Sequence, residues 1–183
     1  MTTHSILILN KAAAMDVSAY NRPAYYTHDI DNGGVFRLDS LLGTTGCEVW
    51  NVTLSNGSAA DLWMAYSPEV NTASIGTKKF RGLTQDQQDF YISACTVFDA
   101  FKPQVGDILT LTADAFSTTR TTETYANSAD NSADLVWAAT QTGSALSLKI
   151  IDVTTIAKPD GTLGDEQALT AYKMLVIANP IAQ

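Results

Sequence analysis

Short runs of alternating apolar and polar residues, separated by clusters of Gly, Asn, Asp, Ser and Pro, repeat along this chain. That is the pattern of antiparallel β-structure. Ala24–His28 reads as a strand and Asp31-Asn32-Gly33-Gly34 as a turn. Val35–Asp39 follows, with Phe36 and Leu38 on one face, so the three pieces read as a hairpin. Gly43–Gly46 turns the chain into Glu48–Leu54, where Trp50, Val52 and Leu54 oppose Val49, Asn51 and Thr53. Ser55-Asn56-Gly57-Ser58 is another turn signal. Leu62–Tyr66 (LWMAY) is a compact apolar strand stopped by Pro68.

Residues 69–83 have mixed character and read as a loop. One short helix is expected over Gln85–Val97. Thr84 caps it, Gln87 completes a capping box, and Phe90, Tyr91, Ala94 and Phe98 fall at helical spacing. The β-branched Ile92, Thr96 and Val97 oppose a long helix, so it should run into a strand. The clearest β signal comes next: Pro103 blocks helix, Gly106-Asp107 turns, and Ile108–Thr112 alternates. Thr118–Tyr125, Leu135–Thr140, Leu146–Ile156 and Leu169–Ala178 complete the set. Lys158-Pro159-Asp160-Gly161 begins a connection reaching about Gln167. The expectation is a mainly β fold of eight to ten strands, an antiparallel sandwich or barrel with at most one short helix.

The N-terminus stands apart in this reading. Residues 1–23 form an extended arm ahead of a single β domain, 24–183. Ile6, Leu7, Ile8 and Leu9 are too apolar for a free tail, so they add a strand to a sheet of this chain or of a neighbour. An arm of the second kind would be removable with the body intact.

Composition narrows the function. Only 16% of the 183 residues are charged, against a usual ~25%. Eleven Lys and Arg against nineteen Asp and Glu leave a net charge of -8. Nucleic acid and anionic membrane surfaces are excluded as partners, since both need clustered cations. No apolar run approaches the ~20 residues of a membrane-spanning helix. Neither a basic leader nor a long apolar h-region is present, so export by a signal peptide is not expected. The asparagine sequons at Asn51 and Asn56 then carry no meaning.

Candidate chemistry is sparse. Cys47 and Cys95 are too far apart in sequence for a zinc knuckle. Buried thiols are expected, with a disulfide as the alternative. His28 neighbours Asp29 and Asp31, but no nucleophile elbow accompanies them, so no enzyme is expected. The Asp29–Gly34 segment lacks two oxygens that a calcium loop needs and reads as a turn. The NSADNSAD segment, Asn127–Asp134, reads as a polar loop. No metal site and no cofactor is expected. Trp50, Trp63 and Trp137 sit in apolar strands and read as core, with a stacked sugar platform as the alternative. Tyr20, Tyr25 and Tyr26 flank Pro23 among polar residues and belong either to the core edge or to a protein interface. Lys78, Lys79 and Arg81 are the only basic cluster: a solvated loop, or a contact for an acidic neighbour.

Three segments carry a resemblance: Phe98–Ala115, Leu62–Pro68 (LWMAYSP) and Gly76–Gly82 (GTKKFRG). They resemble stretches of small virion proteins of tailed bacteriophages, and the Thr-rich, Lys-poor β style fits. The resemblance implies a head decoration or other minor capsid protein. It would bind the major capsid protein and copies of itself, as a homo-oligomer on a lattice, in a virion assembled in the bacterial host cytoplasm. The residues expected to make those contacts are Ile6, Leu7, Ile8, Leu9, Tyr20, Tyr25, Tyr26, Lys78, Lys79 and Arg81. A tail-tube subunit or a carbohydrate- or receptor-binding β module is the alternative.

Overall fold

The computed structural model describes residues 3–43, 48–55, 61–68, 72–75, 78–81, 87–141, 145–159 and 166–180. The fold is mainly β. The strands are β1 (Leu7–Lys11), β2 (Asn21–Tyr25), β3 (Val35–Leu41), β4 (Trp50–Leu54), β5 (Trp63–Tyr66), β6 (Thr72–Ile75) and β7 (Lys78–Arg81). They continue with β8 (Val97–Phe101), β9 (Ile108–Thr112), β10 (Tyr125–Ser128), β11 (Leu135–Ala138), β12 (Ser147–Pro159) and β13 (Glu166–Ala178). Six strands make one sheet in the order β1-β9-β13-β12-β10-β11. Five close a barrel in the order β2-β4-β3-β5-β8, and β6-β7 pair by themselves.

Alternation explains how barrel and sheet join. On β5, Trp63 and Ala65 pack with Phe36, Phe98 and Ala100 in one apolar cluster. Met64, between them, joins Val35 and Phe101 in a second cluster with Leu109, Leu111, Leu148 and Met174 of the sheet. Around β5 the barrel therefore buries one face within itself and the other against the sheet. This is why LWMAY is apolar without a break: Leu62, Met64 and Ala65 are fully buried. Each such large side chain contributes about 1.5–3 kcal/mol by leaving water.

The turn at Asp31–Gly34 ties the pieces together. Asn32 is fully buried. Its Nδ2 donates to the Ser67 carbonyl at 3.0 Å, and its Oδ1 accepts from Ser67 N–H at 2.8 Å. Ser5 Oγ donates to the Asn32 carbonyl. Asp31 accepts from Ser5 N–H at 3.0 Å and pairs with His4 Nδ1 at 2.8 Å. Gly33, at φ +87°, donates to the Ala65 carbonyl at 2.8 Å. A Cβ on Gly33 would lie 2.6 Å from Leu111 Cδ2 in the sheet.

Several expectations change. β2 and β3 are not a hairpin: β4 lies between them, antiparallel to β3 and parallel to β2. The intervening turn is drawn into the barrel–sheet junction instead. The expected helix shrinks to one 3-10 turn, Gln87–Asp89. Ile92 is buried in the barrel cluster and bridges Ile30, and that pairing overrides the helical spacing. Thr84 lies outside the described residues. Residues 72–75 and 78–81, read as loop, form the antiparallel pair β6-β7. Thr118–Thr124 is irregular rather than strand, whereas Asn127 and Ser128 belong to β10. Cys95 is exposed and unbonded, at a turn with φ +59°, not a buried thiol. Cys47 lies outside the described residues. Trp63 and Trp137 are buried and Trp50 is half-buried.

Residues 3–23 run through β1 and two 3-10 turns, Ala13–Met15 and Ser18–Tyr20, and do not stand apart from the body. β1 pairs with β9 of its own chain, Leu7 opposite Leu111. Ser5, Ile6 and Leu7 are buried. Removing the segment would open the main core, so it is not a dispensable arm.

Two variants test the junction. Gly33→Ala should cost about 1–3 kcal/mol, the usual price of a disfavoured φ, with the Leu111 contact added. Asn32→Ala should cost a similar ~1–3 kcal/mol by stranding the Ser67 N–H and carbonyl. Urea unfolding of both measures this; a change under about 0.5 kcal/mol, as at an ordinary surface site, would show that the junction does not hold the fold.

Candidate functional site

The two edges of the six-stranded sheet are treated differently. Outside β11, Phe116 bridges Leu135, and Ser117 N–H donates to the Leu135 carbonyl at 2.9 Å. That edge is covered. On the other side, among the described residues, β1 pairs only with β9. Its outer side lines a groove of about 520 Å³, walled by Ile6–Leu9, Ala14, Met15 and Asn21 on one side. The ends of β5 and β8 wall the other, with Tyr66, Ser67, Pro68 and Asp99–Phe101. Met15 is 62% exposed and Ile8 40%.

Hydrogen-bond alternation fixes what this edge offers. Thr112 N–H donates to the Ile6 carbonyl at 3.2 Å, so Ile6 turns its backbone toward β9. In an antiparallel pair alternate residues face alternate sides. Ile8 therefore also faces β9, while Leu7 and Leu9 turn their N–H and carbonyl groups to the groove.

A second feature lies at the opposite end of the chain. β12 and β13 pair over twelve rungs, from Ser147↔Ala178 to Pro159↔Glu166. β10 flanks β12 only at Ser147–Lys149, and β9 flanks β13 only at Ala171–Leu175. From Thr155↔Thr170 to Pro159↔Glu166, five rungs have no neighbouring strand on either side among the described residues. They form a ribbon reaching about 17 Å past the sheet at ~3.4 Å per residue. Ile151 and Val153, at its base, are 46% and 49% exposed. In place of the connection expected from Lys158 to about Gln167, pairing continues to Pro159 and Glu166.

The residues expected to touch a neighbour are scattered. Ile6 and Leu7 are buried, and Leu9 and Tyr20 pack against the main cluster. Ile8 is the exposed member of the N-terminal run. Tyr26 packs on the barrel cluster. Tyr25 lies against Cys95, whose hydrogen bond and charge raise the Tyr25 pKa. Lys78, Lys79 and Arg81 lie on β7, and their side chains are outside the described set. Met15, Tyr66, Pro68, Ile151 and Val153 were not foreseen. The one available signal was the pair of long β-prone runs 146–156 and 169–178, more than a six-strand sheet needs.

The acidic turn is occupied by protein donors. Asp31 serves His4 and Ser5, and Asp29 accepts from Ala94 N–H at 2.7 Å. His28 stacks edge-on to Tyr26. Arg120 lies 6.0 Å from the Trp137 ring centre and 5.8 Å from that of Tyr172, roofing the Phe116–Trp137 stack. In the same loop, N–H groups of Thr121 and Thr122 and the Thr121 hydroxyl lower the Glu123 pKa to about 2.

No family model, curated protein or solved structure matches this chain.

Burial, and then the like charge of Asp31, raise the Asp134 pKa. The folded state therefore holds this proton more tightly than the unfolded chain. Stability present below the ordinary carboxylate pKa is lost as pH rises through the raised value. Asp134→Asn should raise Tm at pH 7, and the gain should vanish near pH 3. Thermal melts at both pH values check this; an equal gain at both would refute the assignment.

Proposed function

We propose that this chain is a non-enzymatic virion structural subunit, specifically a capsid decoration protein that binds the outer capsid lattice and stabilises it. Its partners are the major capsid protein and copies of itself. The single observation that carries the reading is the β12–β13 ribbon. Five rungs of unflanked two-stranded ribbon are marginally stable alone in water. Long free edges are usually shortened, charged or covered. A ribbon of this kind gains stability when another chain covers it, which suits a protein that works by many small contacts on a lattice. The low charge supports the same reading, since Lys, Glu and Asp are depleted where surfaces become covered. The resemblance of Leu62–Pro68 and Phe98–Ala115 to phage virion proteins supports it independently.

A tail-tube subunit is the second reading. One chain bears both a projecting ribbon and an open β edge, and unlike surfaces that meet head to tail close into rings.

The test is to add the protein to capsids that lack it. Saturable outer-surface binding and a higher capsid rupture temperature are expected. Rings or tubes of the isolated protein in negative stain, with no binding to shells, would move the assignment to the tail. Replacing residues 155–170 by Asn-Gly joins Thr154 to Ala171 through a two-residue turn. That variant should keep the parent Tm within a few degrees and lose capsid binding. Full binding by it would mean that the ribbon makes no contact the lattice needs.

A further inference from the structure

The open β1 edge needs an occupant, and the chain itself carries a matching element. We infer that the free edge of the β12 ribbon of one copy adds to β1 of the next copy, extending its six-stranded sheet across the junction. This rests on the assembly reading above and names the surface that assembly uses.

Three observations converge. Leu7 and Leu9 present backbone N–H and carbonyl groups to the groove, the hydrogen-bonding array that strand addition requires. From Ile151 onward the outer edge of β12 has no pairing strand among the described residues, so it presents the complementary array. Part of the exposed apolar surface falls at the same two places. Of the eleven large hydrophobic residues exposed among the described ones, Ile8, Met15 and Tyr66 border the groove, Ile151 and Val153 lie at the base of the ribbon, and six lie elsewhere.

The geometry has a direction. The ribbon is a donor and the β1 edge an acceptor, so the contact is heterologous. Every added copy offers a fresh ribbon and a fresh edge, and association proceeds until a ring closes or a lattice fixes the ends.

The test uses full-length protein in a Cys47→Ser, Cys95→Ser background. One preparation carries Ile8→Cys and another Thr155→Cys. Mixed under mild oxidation, they should give a disulfide heterodimer, with little product from either alone. In parallel, sedimentation follows self-association of Leu9→Pro. That change removes an N–H facing the groove but no bond to β9. It should lower the association constant about tenfold or more. Ile151→Lys with Val153→Lys should do the same from the ribbon side, with parent circular dichroism, and stands in if Leu9→Pro does not fold.

Thr155→Cys homodimers without heterodimer would overturn the inference in favour of ribbon-to-ribbon pairing. Association that persists unchanged in the edge and ribbon variants would overturn it while leaving assembly itself intact. A chain that stays monomeric yet binds capsids through its ribbon would also overturn it: the ribbon would then seat on capsid protein. Loss of capsid binding together with a monomeric chain would remove the assembly reading as well.

Discussion

The buried amide of Asn32 and its neighbour Gly33 hold three parts of the molecule at one point. Asn32 grips Ser67 at the end of β5 through both its donor and its acceptor. Its carbonyl takes the Ser5 hydroxyl, and Gly33 reaches Ala65 on one side while lying against Leu111 on the other. The N-terminal segment, the barrel and the sheet thus share one turn. A side chain at Gly33 would be held at a disfavoured φ of +87° and would push the Leu111 methyl aside, so this close approach suits glycine. Buried polar bonds of this kind specify one arrangement because every alternative leaves them unmade.

Two further anchors keep the same parts in register. Asp107, buried at the mouth of β9, accepts from Ala13 N–H at 2.9 Å and Gln104 N–H at 2.8 Å. Asn179, past β13, accepts from Leu62 N–H and donates to the Leu62 and Pro103 carbonyls. Each joins sequence-distant segments that the apolar clusters alone would leave free to slide. With the core and these three polar clasps in place, β1 is fixed as an edge and its outer side stays open.

Much of this was legible in the residues. Period-two alternation located β3, β4, β9 and β13, and compact apolar or β-prone runs located β5, β11 and β12. The Asp31–Gly34 turn was legible as a turn, but its burial was not: nothing local distinguishes a surface Asn from one that clasps Ser67 thirty-five residues on. Helical spacing over Phe90–Phe98 misled because Ile92 and Phe98 enter the barrel from irregular chain and a strand. The apolar Ile6–Leu9 run was readable as a strand, though not whose sheet it joined, since pairing partners lie in tertiary structure. The groove and ribbon were least legible. Both are defined by strands that lack a neighbour, which is a property of topology and not of any residue.

The pairing of Leu7 with Leu111 also sets a timetable. β1 leaves the ribosome about a hundred residues ahead of its partner. At roughly 5–20 residues per second the wait is on the order of 5–20 s. Until β9 arrives, β1 has no in-chain partner, and the wall built by Tyr66 and Asp99–Phe101 has nothing to stand against. The acceptor groove is therefore a product of completed folding. A nascent or truncated chain that lacks β9 cannot display it.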